Sequence, residues 1–363
     1  MAKQRSTSTT LPACYAMVLP GLEPVAAEEI TQDLGGDVTR TGPGVVVFRH
    51  QTIDRSLLEL RTVEDVFLLA WGTDQLTYRA EDLDRIRRWT TRQVDWNSLL
   101  RIHHGIRPKP KGKPTYRLVT QMTGEHGYRR IDAGKALAAG LAGKLPASWR
   151  PAEENASVEI WLTIQGATAI CGLRLSDRTM RHRSYKTEHI AASLRPTMAA
   201  AMLRVAALRP GQVLLDPMCG AGTFLAEALE FARGVRGAVR IVAGDIDISA
   251  LRAARANLRR LGSVPLVHWN AERLPMEDHS IDRIVSNPPF GKKHGRPEEI
   301  GSLYQRILRE YDRVLRPNGS AVLLVSDWRA LREAAKGAGW KPTRHLRVRV
   351  LGQSAEISAW RKQ

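Results

Sequence analysis

Val213-Leu214-Leu215-Asp216-Pro217-Met218-Cys219-Gly220-Ala221-Gly222-Thr223 is the stretch on which the fold turns. Three consecutive apolar residues without polar alternation fit a strand buried on both faces, as in a parallel sheet. Residues 224–231 are compatible with a helix, so the glycines fall on a strand-to-helix turn. Small residues at such a turn let a ligand approach the backbone and meet the helix N-terminus. The expected fold class is therefore α/β, with its first parallel strand ending at Asp216.

A nicotinamide dinucleotide site competes for this turn. Against it, Leu225 stands in place of the third glycine of G-x-G-x-x-G, and Asp216 precedes the glycines. A carboxylate there opposes an anionic pyrophosphate but favours the ammonium of S-adenosylmethionine. Residues 241–243 read as a second strand that ends at Gly244-Asp245-Ile246-Asp247. A carboxylate at that place can bond both ribose hydroxyls, at about the twenty-residue offset such folds use. Dinucleotide enzymes share the feature, so it points to an adenosine cofactor without saying which. Asn270-Ala271-Glu272, after a strand at residues 265–269, would address the adenine edge by side-chain amide and backbone.

A fourth strand, residues 280–286, ends at Asn287-Pro288-Pro289-Phe290. As a bland element this is a proline-stiffened turn, since N-P and P-P are ordinary turn signals. As a site it is a clamp for a planar amine. An exocyclic base amine delocalises its lone pair into the ring, and two acceptors that take its hydrogens help to localise it again. The prolines hold the Asn287 oxygen and the Pro288 carbonyl at one spacing. Phe290 offers a face for an extruded base. In open α/β sheets ligands bind beyond the carboxyl ends of the strands, so all four segments are expected on one rim.

Together these residues resemble motifs I and IV of the Rossmann-fold, class I S-adenosylmethionine-dependent methyltransferases that act on adenine N6, cytosine N4 or guanine N2. The resemblance implies S-adenosyl-L-methionine as cofactor. It places Asp216, Gly220 and Gly222 at the methionine end, Asp245 at the ribose, and Asn270, Ala271 and Glu272 at the adenine, with Pro217, Cys219, Ala221, Thr223 and Ile246 as further cofactor-binding residues. Asn287, Pro288, Pro289 and Phe290 would hold the target base. The family more often has Asp where Asn270 stands, and a neutral amide there can still bond adenine. Residues 191–208 read as an amphipathic helix similar to the family segment that lines the methionine pocket, which adds Arg195 and Thr197.

The N-terminal half narrows the substrate. Residues 11–30 read as strand, turn and helix, residues 45–48 as a strand, and residues 56–69 as a helix with Leu57, Leu60, Val63 and Val66 on one face. With its Pro20-Gly21-Leu22-Glu23 turn this start resembles the ferredoxin-like domain of THUMP proteins. Residues 115–119, 124–128 and a helix at 131–143, then paired strands at 157–165 and 169–175, resemble the THUMP domain itself. The implied organisation is a disordered tail over 1–10, part of a ferredoxin-like domain over 11–70, a THUMP domain with a basic loop over 71–176, a basic linker over 177–195 and a Rossmann-fold methyltransferase domain over 196–363.

THUMP domains bind tRNA, commonly by its 3′ end, and the charge agrees. The 363 residues carry 55 Lys and Arg against 37 Asp and Glu, a net charge of +18. Such an excess favours phosphate polyanions and is silent about fold. Two acid-free stretches stand out. Residues 101–117, with Arg107, Lys109, Lys111 and Lys113, read equally as a flexible loop or a contact surface. Residues 178–186 join the two halves, so Arg178, Arg181, Arg183 and Lys186 are expected to meet RNA. Lys292, Lys293 and Arg296 follow the amine clamp directly and would meet phosphates beside the flipped base.

Other classes are weighed against this frame. Cys14, Cys171 and Cys219 are far apart and odd in number, which speaks against a disulfide framework or a zinc site and for the cytoplasm. No metal is expected; His103, His104 and His126 lack a supporting ligand pattern. A covalent cytosine-C5 route through Cys219 would need the thiol beside the base, not beside the methionine. No uncharged apolar run of 18 residues occurs, so no membrane span is expected, and residues 1–10 lack a signal-peptide h-region. Helical spacing from Ile300 to Leu315, a stop at Arg316-Pro317-Asn318-Gly319, a strand at 321–325 and a terminal hairpin around Gly352 complete the expected sheet. The order of parts most resembles the enzymes forming N2-methylguanosine at position 6 of the tRNA acceptor stem, with tRNA as partner and a monomer favoured. The alternatives are a 23S rRNA guanine-N2 methyltransferase, an adenine-N6 enzyme, and a non-catalytic tRNA-binding THUMP protein.

Overall fold

The computed structural model describes residues 11–107, 112–191, 193–234, 238–290, 297–350 and 352–363. Two compact units result. One comprises the described residues up to Met17, Ala27–Leu60 and Asp65–Asp177; the other comprises Val18–Ala26, Arg61–Glu64 and Arg178–Gln363.

The first unit is built on an eight-stranded mixed sheet. Its order is Asp37–Gly42, Val45–Arg49, Cys14–Met17, Asp65–Thr73, Thr168–Arg174, Val158–Gln165, Thr115–Thr123 and Arg150–Pro151. The two pairings of Thr115–Thr123 are parallel and the rest antiparallel. The sheet runs without a break across residue 70, where the sequence places a domain boundary. The helix expected at residues 56–69 does not form. A short 3-10 turn, Arg55–Glu59, gives way to the strand Asp65–Thr73, whose first four residues are all buried. A strand paired on both edges and covered on both faces loses its polar alternation, and three-residue apolar spacing then mimics a helix. The edge strand Asp37–Gly42, largely exposed, carries no apolar pattern at all.

Two features hold this sheet in register. Tyr15 stacks on Phe67 with ring centroids 4.6 Å apart, and a Cβ on Gly172 would lie 2.4 Å from Tyr15 Cε1, so the tyrosine fits only over a glycine. Arg174 donates to Asp65 at 2.7 Å and to Glu159 at 2.8 Å, and the Ser176 hydroxyl donates to Asp65 at 2.8 Å. Removing that guanidinium would leave the buried Asp65 carboxylate without its cation, at a cost of about 3–5 kcal/mol.

The second unit is a seven-stranded sheet in the order Leu266–His268, Arg240–Asp245, Val213–Asp216, Ile281–Ser286, Leu315–Val325, Gln353–Arg361, Lys341–Val350. The first five are mutually parallel, and Gln353–Arg361 is antiparallel to both its neighbours. Strict alternation splits the core into two layers. Leu214, Ala243, Val285, Val322, Leu324 and Ile357 face a cluster with Met198, Met202 and Phe224. Leu215, Ile284, Leu323, Val325 and Trp360 face the other, with Tyr304, Ile307, Tyr311 and Leu331. A doubly wound sheet of this kind buries its central strands on both sides, which explains the unbroken apolar runs in the sequence.

Three expectations need correction here. The amphipathic helix at 191–208 is the shorter helix Pro196–Val205, and its first eight residues are all buried. The linker at 177–195 is folded into the second unit from Arg178 on, with a one-turn helix, Thr179–His182, and a buried Tyr185. Arg316-Pro317-Asn318-Gly319 does end the preceding helix at Val314, but it is absorbed as an irregularity in the strand Leu315–Val325, with Asn318 at φ +64°.

Candidate cofactor and base site

The strands of the second unit deliver the site residues in register. Leu215 pairs with Ile284 and Asp216 with Ala243, so the carboxyl ends of three adjacent parallel strands lie side by side. Asp216 closes the central strand, Asp245 the one on its left, and Asn287 follows Ser286 on its right. Strand register thus brings together residues up to 71 positions apart in the chain.

The glycine turn is pinned from several sides. The Gly220 amide donates to Asp245 Oδ2 at 2.8 Å, the Cys219 amide to the Gly244 carbonyl at 3.0 Å, and Trp269 Nε1 to the Pro217 carbonyl at 2.9 Å. Gly220 and Gly222 hold φ of +51° and +75°, where side chains are strained, and a Cβ on Gly222 would meet Ala254 Cβ at 3.0 Å. Gly244 is required by space: a Cβ there would fall 2.2 Å from the Val267 carbonyl oxygen. Helix Thr223–Gly234 starts immediately after the turn, so its positive end faces the same rim.

Two buried acceptors at this rim lack hydrogen-bond partners among the described residues: Asp216 Oδ2 and Asn287 Oδ1. Asp216 is fully buried, and its other oxygen accepts the Met218 amide, at 3.3 Å. Burial pushes its carboxyl well above the usual carboxylate range, and the Asp245 charge pushes the same way. An unsatisfied buried acceptor costs about 1–3 kcal/mol, which a fold retains where a ligand supplies the donor. A cationic donor at Asp216 and an N–H donor at Asn287 are the partners this arrangement fits.

The remaining expected residues are placed as follows. Pro217, Cys219, Ala221 and Thr223 are buried in the turn, and burial raises the Cys219 thiol so that it stays protonated. Asp245 Oδ1 accepts the Asp247 amide at 3.0 Å, and Ile246 stands 66% exposed beside it, an apolar surface at the rim. Asn270 is exposed and accepts the Glu272 amide at 2.9 Å; Ala271 is buried; Glu272 pairs with Arg306 at 2.9 Å. Pro288 is buried, Pro289 half-buried, and Phe290 half-buried against the core, its carbonyl accepting from Ser326 at 3.4 Å.

Arg195 and Thr197 are brought to a residue the sequence did not single out. Both bind Glu64, through Arg195 Nη1 at 3.0 Å and the Thr197 hydroxyl at 2.6 Å. Arg183 and Lys186, expected to meet phosphate, turn inward. Arg183 donates to Glu227 at 3.3 Å and to the Arg61 carbonyl at 2.8 Å; Glu227, 1% exposed, also accepts from Arg61 at 2.8 Å and from the Tyr185 hydroxyl at 2.7 Å. Lys186 Nζ reaches the Leu194 carbonyl and, at 3.5 Å, the Thr223 hydroxyl beside the glycine turn; burial lowers its ammonium to about 8. Of the four, Arg178 is exposed and Arg181 half-buried. Lys292 and Lys293 lie outside the described residues, as do Lys109, Lys111 and Arg296. Among the histidines, His103 is buried, and that burial lowers its pKa to about 4, as suits a structural imidazole. Among the described residues no cluster of three or more His, Cys, Asp or Glu could hold a metal ion, and no helix is long and apolar enough to cross a membrane.

A parallel sheet ending in a glycine turn, with carboxylates on two neighbouring strands and Asn-Pro-Pro-Phe on a third, gives an α/β domain whose rim gathers the residues expected at a nucleotide cofactor and at a base amine. Residues 183–355 match the family described as UPF0020: RMKL-like, methyltransferase domain. The bovine tRNA (guanine(6)-N(2))-methyltransferase THUMP3 is 32% identical over 227 residues, 58% of this chain and 44% of that protein. The mouse U6 snRNA (guanine-N(2))-methyltransferase THUMPD2 is 33% identical over 220 residues, 59% of this chain and 39% of that protein. The chain thus matches less than half the length of either relative. The crystal structure of TrmN from Thermus thermophilus superposes with a TM-score of 0.77 at 25% identity, covering 97% of this chain and 99% of that one.

Proposed function

We propose that this chain transfers the methyl group of S-adenosylmethionine to the exocyclic N2 amine of a guanosine in tRNA, at position 6 of the acceptor stem. The observation that carries the reading is the pair of unpartnered buried acceptors, Asp216 Oδ2 and Asn287 Oδ1, at the ends of adjacent parallel strands. The cofactor would supply an electrophilic sulfonium methyl. Asp216 would take its ammonium, Asp245 its ribose hydroxyls, and the segment Asn270 to Glu272 its adenine. Asn287 Oδ1 and the Pro288 carbonyl would accept the two amine hydrogens, turning the nitrogen lone pair towards the methyl. Phe290 would stack on the extruded base. No strong base is needed, because the amine sheds its proton only after the nitrogen has become tetrahedral; orientation and fixed dipoles provide the rate.

Support for RNA comes from the net charge of +18 and from the relatives' names, which specify guanine N2 in two RNAs. The first unit is read as the ferredoxin-like and THUMP portions that hold the tRNA 3′ end, and the cytoplasm as the working compartment. Replacing guanosine 6 of a tRNA by inosine removes the N2 amine alone. With the purified chain and labelled S-adenosylmethionine, methylation is expected on the guanosine-6 transcript and not on the inosine-6 transcript. Equal labelling of both would shift the target elsewhere, and labelling of U6 small nuclear RNA or ribosomal RNA in preference to tRNA would replace the substrate.

A further inference from the structure

Asn257 lies on the helix Ile248–Leu258, 2% exposed, away from the residues assigned above. Its amide makes more hydrogen bonds than any sequence pattern foretells. Oδ1 accepts the Thr187 amide at 2.9 Å, the Glu188 amide at 2.8 Å and the Thr187 hydroxyl at 3.4 Å. Nδ2 donates to the Glu188 carbonyl at 3.1 Å and to the Ala221 carbonyl at 2.9 Å. Ala221 sits between the two positive-φ glycines of the cofactor turn. One buried side chain therefore ties a crossing segment of backbone to the middle of that turn.

The neighbours reinforce the tie. Ala254, one turn earlier on the same helix, is the residue against which Gly222 packs, so one helix face seats both halves of the turn. Beyond Glu188, Ile190 comes to rest over Gly220, where a Cβ would lie 3.5 Å from Ile190 Cδ1. Before it, Lys186 reaches Thr223. The segment from Lys186 to Ile190 thus crosses the turn as a strap fixed at its centre by Asn257.

We propose that Asn257 is a positioning residue for cofactor binding: by holding the Ala221 carbonyl and the Thr187-Glu188 backbone together, it fixes the glycine turn and sets Ile190 as a wall over it. This rests on the functional reading above. A carboxamide is needed because the two sides of the tie have opposite polarity, N–H groups on one and carbonyls on the other. An Asp at this position would keep the acceptor for Thr187 and Glu188 but set a second oxygen against the Ala221 and Glu188 carbonyls.

The test is calorimetric titration of the full chain with S-adenosylmethionine, together with steady-state kinetics on tRNA. Asn257→Asp should raise the Kd and the KM for S-adenosylmethionine by about tenfold, the size of one lost hydrogen bond, while kcat at saturating cofactor stays within about twofold. Ile190→Ala, a half-buried site, should raise both several-fold without loss of folding. A folded Asn257→Asp with wild-type Kd would overturn the proposal, since a merely structural role lowers the melting temperature and leaves Kd alone. Should that variant fail to fold, an unchanged Kd in Ile190→Ala overturns it instead. Wild-type protein that binds no S-adenosylmethionine would remove the functional reading, and this inference with it, before any variant is compared.

Discussion

Asn287→Ala should lower kcat for methyl transfer about a hundred- to a thousandfold while leaving the Kd for S-adenosylmethionine within about twofold. The magnitude follows from what the side chain supplies. Its Oδ1 is a buried acceptor with no partner among the described residues, held between Ser286 at the strand end and two prolines that allow it little freedom. Removing one preorganised dipole aimed at developing charge typically costs about 2.7–4 kcal/mol in the transition state. Cofactor affinity should survive because Asp216, the glycine turn and Asp245 lie on the neighbouring strands and do not depend on it. Asn287→Asp keeps an acceptor oxygen and should retain part of the activity. Calorimetry and single-turnover kinetics on the same preparations check both halves. Loss of cofactor binding together with turnover would show that the division of roles between the strands is wrong.

Asp216→Asn should abolish measurable S-adenosylmethionine binding and yet make the ligand-free protein more stable at neutral pH. The carboxyl is fully buried, its pKa raised first by desolvation and then by Asp245. The folded state therefore holds this proton to a higher pH than the unfolded chain does. Stability is lost as pH rises above the ordinary carboxylate range and through the raised value, because ionising the group in the interior is unfavourable. An amide carries no such charge, and the gain should be on the order of 1–3 kcal/mol. Cofactor binding should show the opposite trend in the wild type. Only the ionised carboxylate attracts an ammonium, so the Kd should tighten with rising pH through the same window, with a proton released on binding. Thermal melts and calorimetry across pH measure both. A ligand-free Asp216→Asn that is less stable than wild type would mean the carboxylate is satisfied by the protein itself.

The parts of this site that were legible in the sequence are those fixed by backbone geometry. Glycines at positive φ, a proline pair and short apolar runs report local constraint directly, and they single out Asp216, Gly220, Gly222, Asp245 and Asn287 as candidates. The terminal hairpin was likewise visible, since Leu346, Val348 and Val350 alternate with exposed arginines along Lys341–Val350. What the sequence hid depends on tertiary pairing. Glu64 and Glu227 look like ordinary surface acids, and only the fold brings Arg195 and Thr197 to the one, and Arg61, Arg183 and Tyr185 to the other. A basic stretch reads the same whether its charges meet phosphate or buried carboxylates, so Arg183 and Lys186 were misplaced. Asn257 gives no signal, because a buried helical Asn with five hydrogen bonds has the same letter as one in water. The helix expected at residues 56–69 failed for a different reason: a strand buried on both faces shows spacing that a helix shares.

The central claim is that this chain places a methyl group on the N2 amine of guanine in RNA. The purified chain incubated with S-adenosylmethionine carrying a deuterated methyl and with unmodified tRNA, followed by nucleoside mass spectrometry, tests it most directly. Deuterated N2-methylguanosine, formed far more slowly with Asn287→Ala, is the result predicted. Label in N6-methyladenosine, or no labelled nucleoside despite cofactor binding, would contradict it.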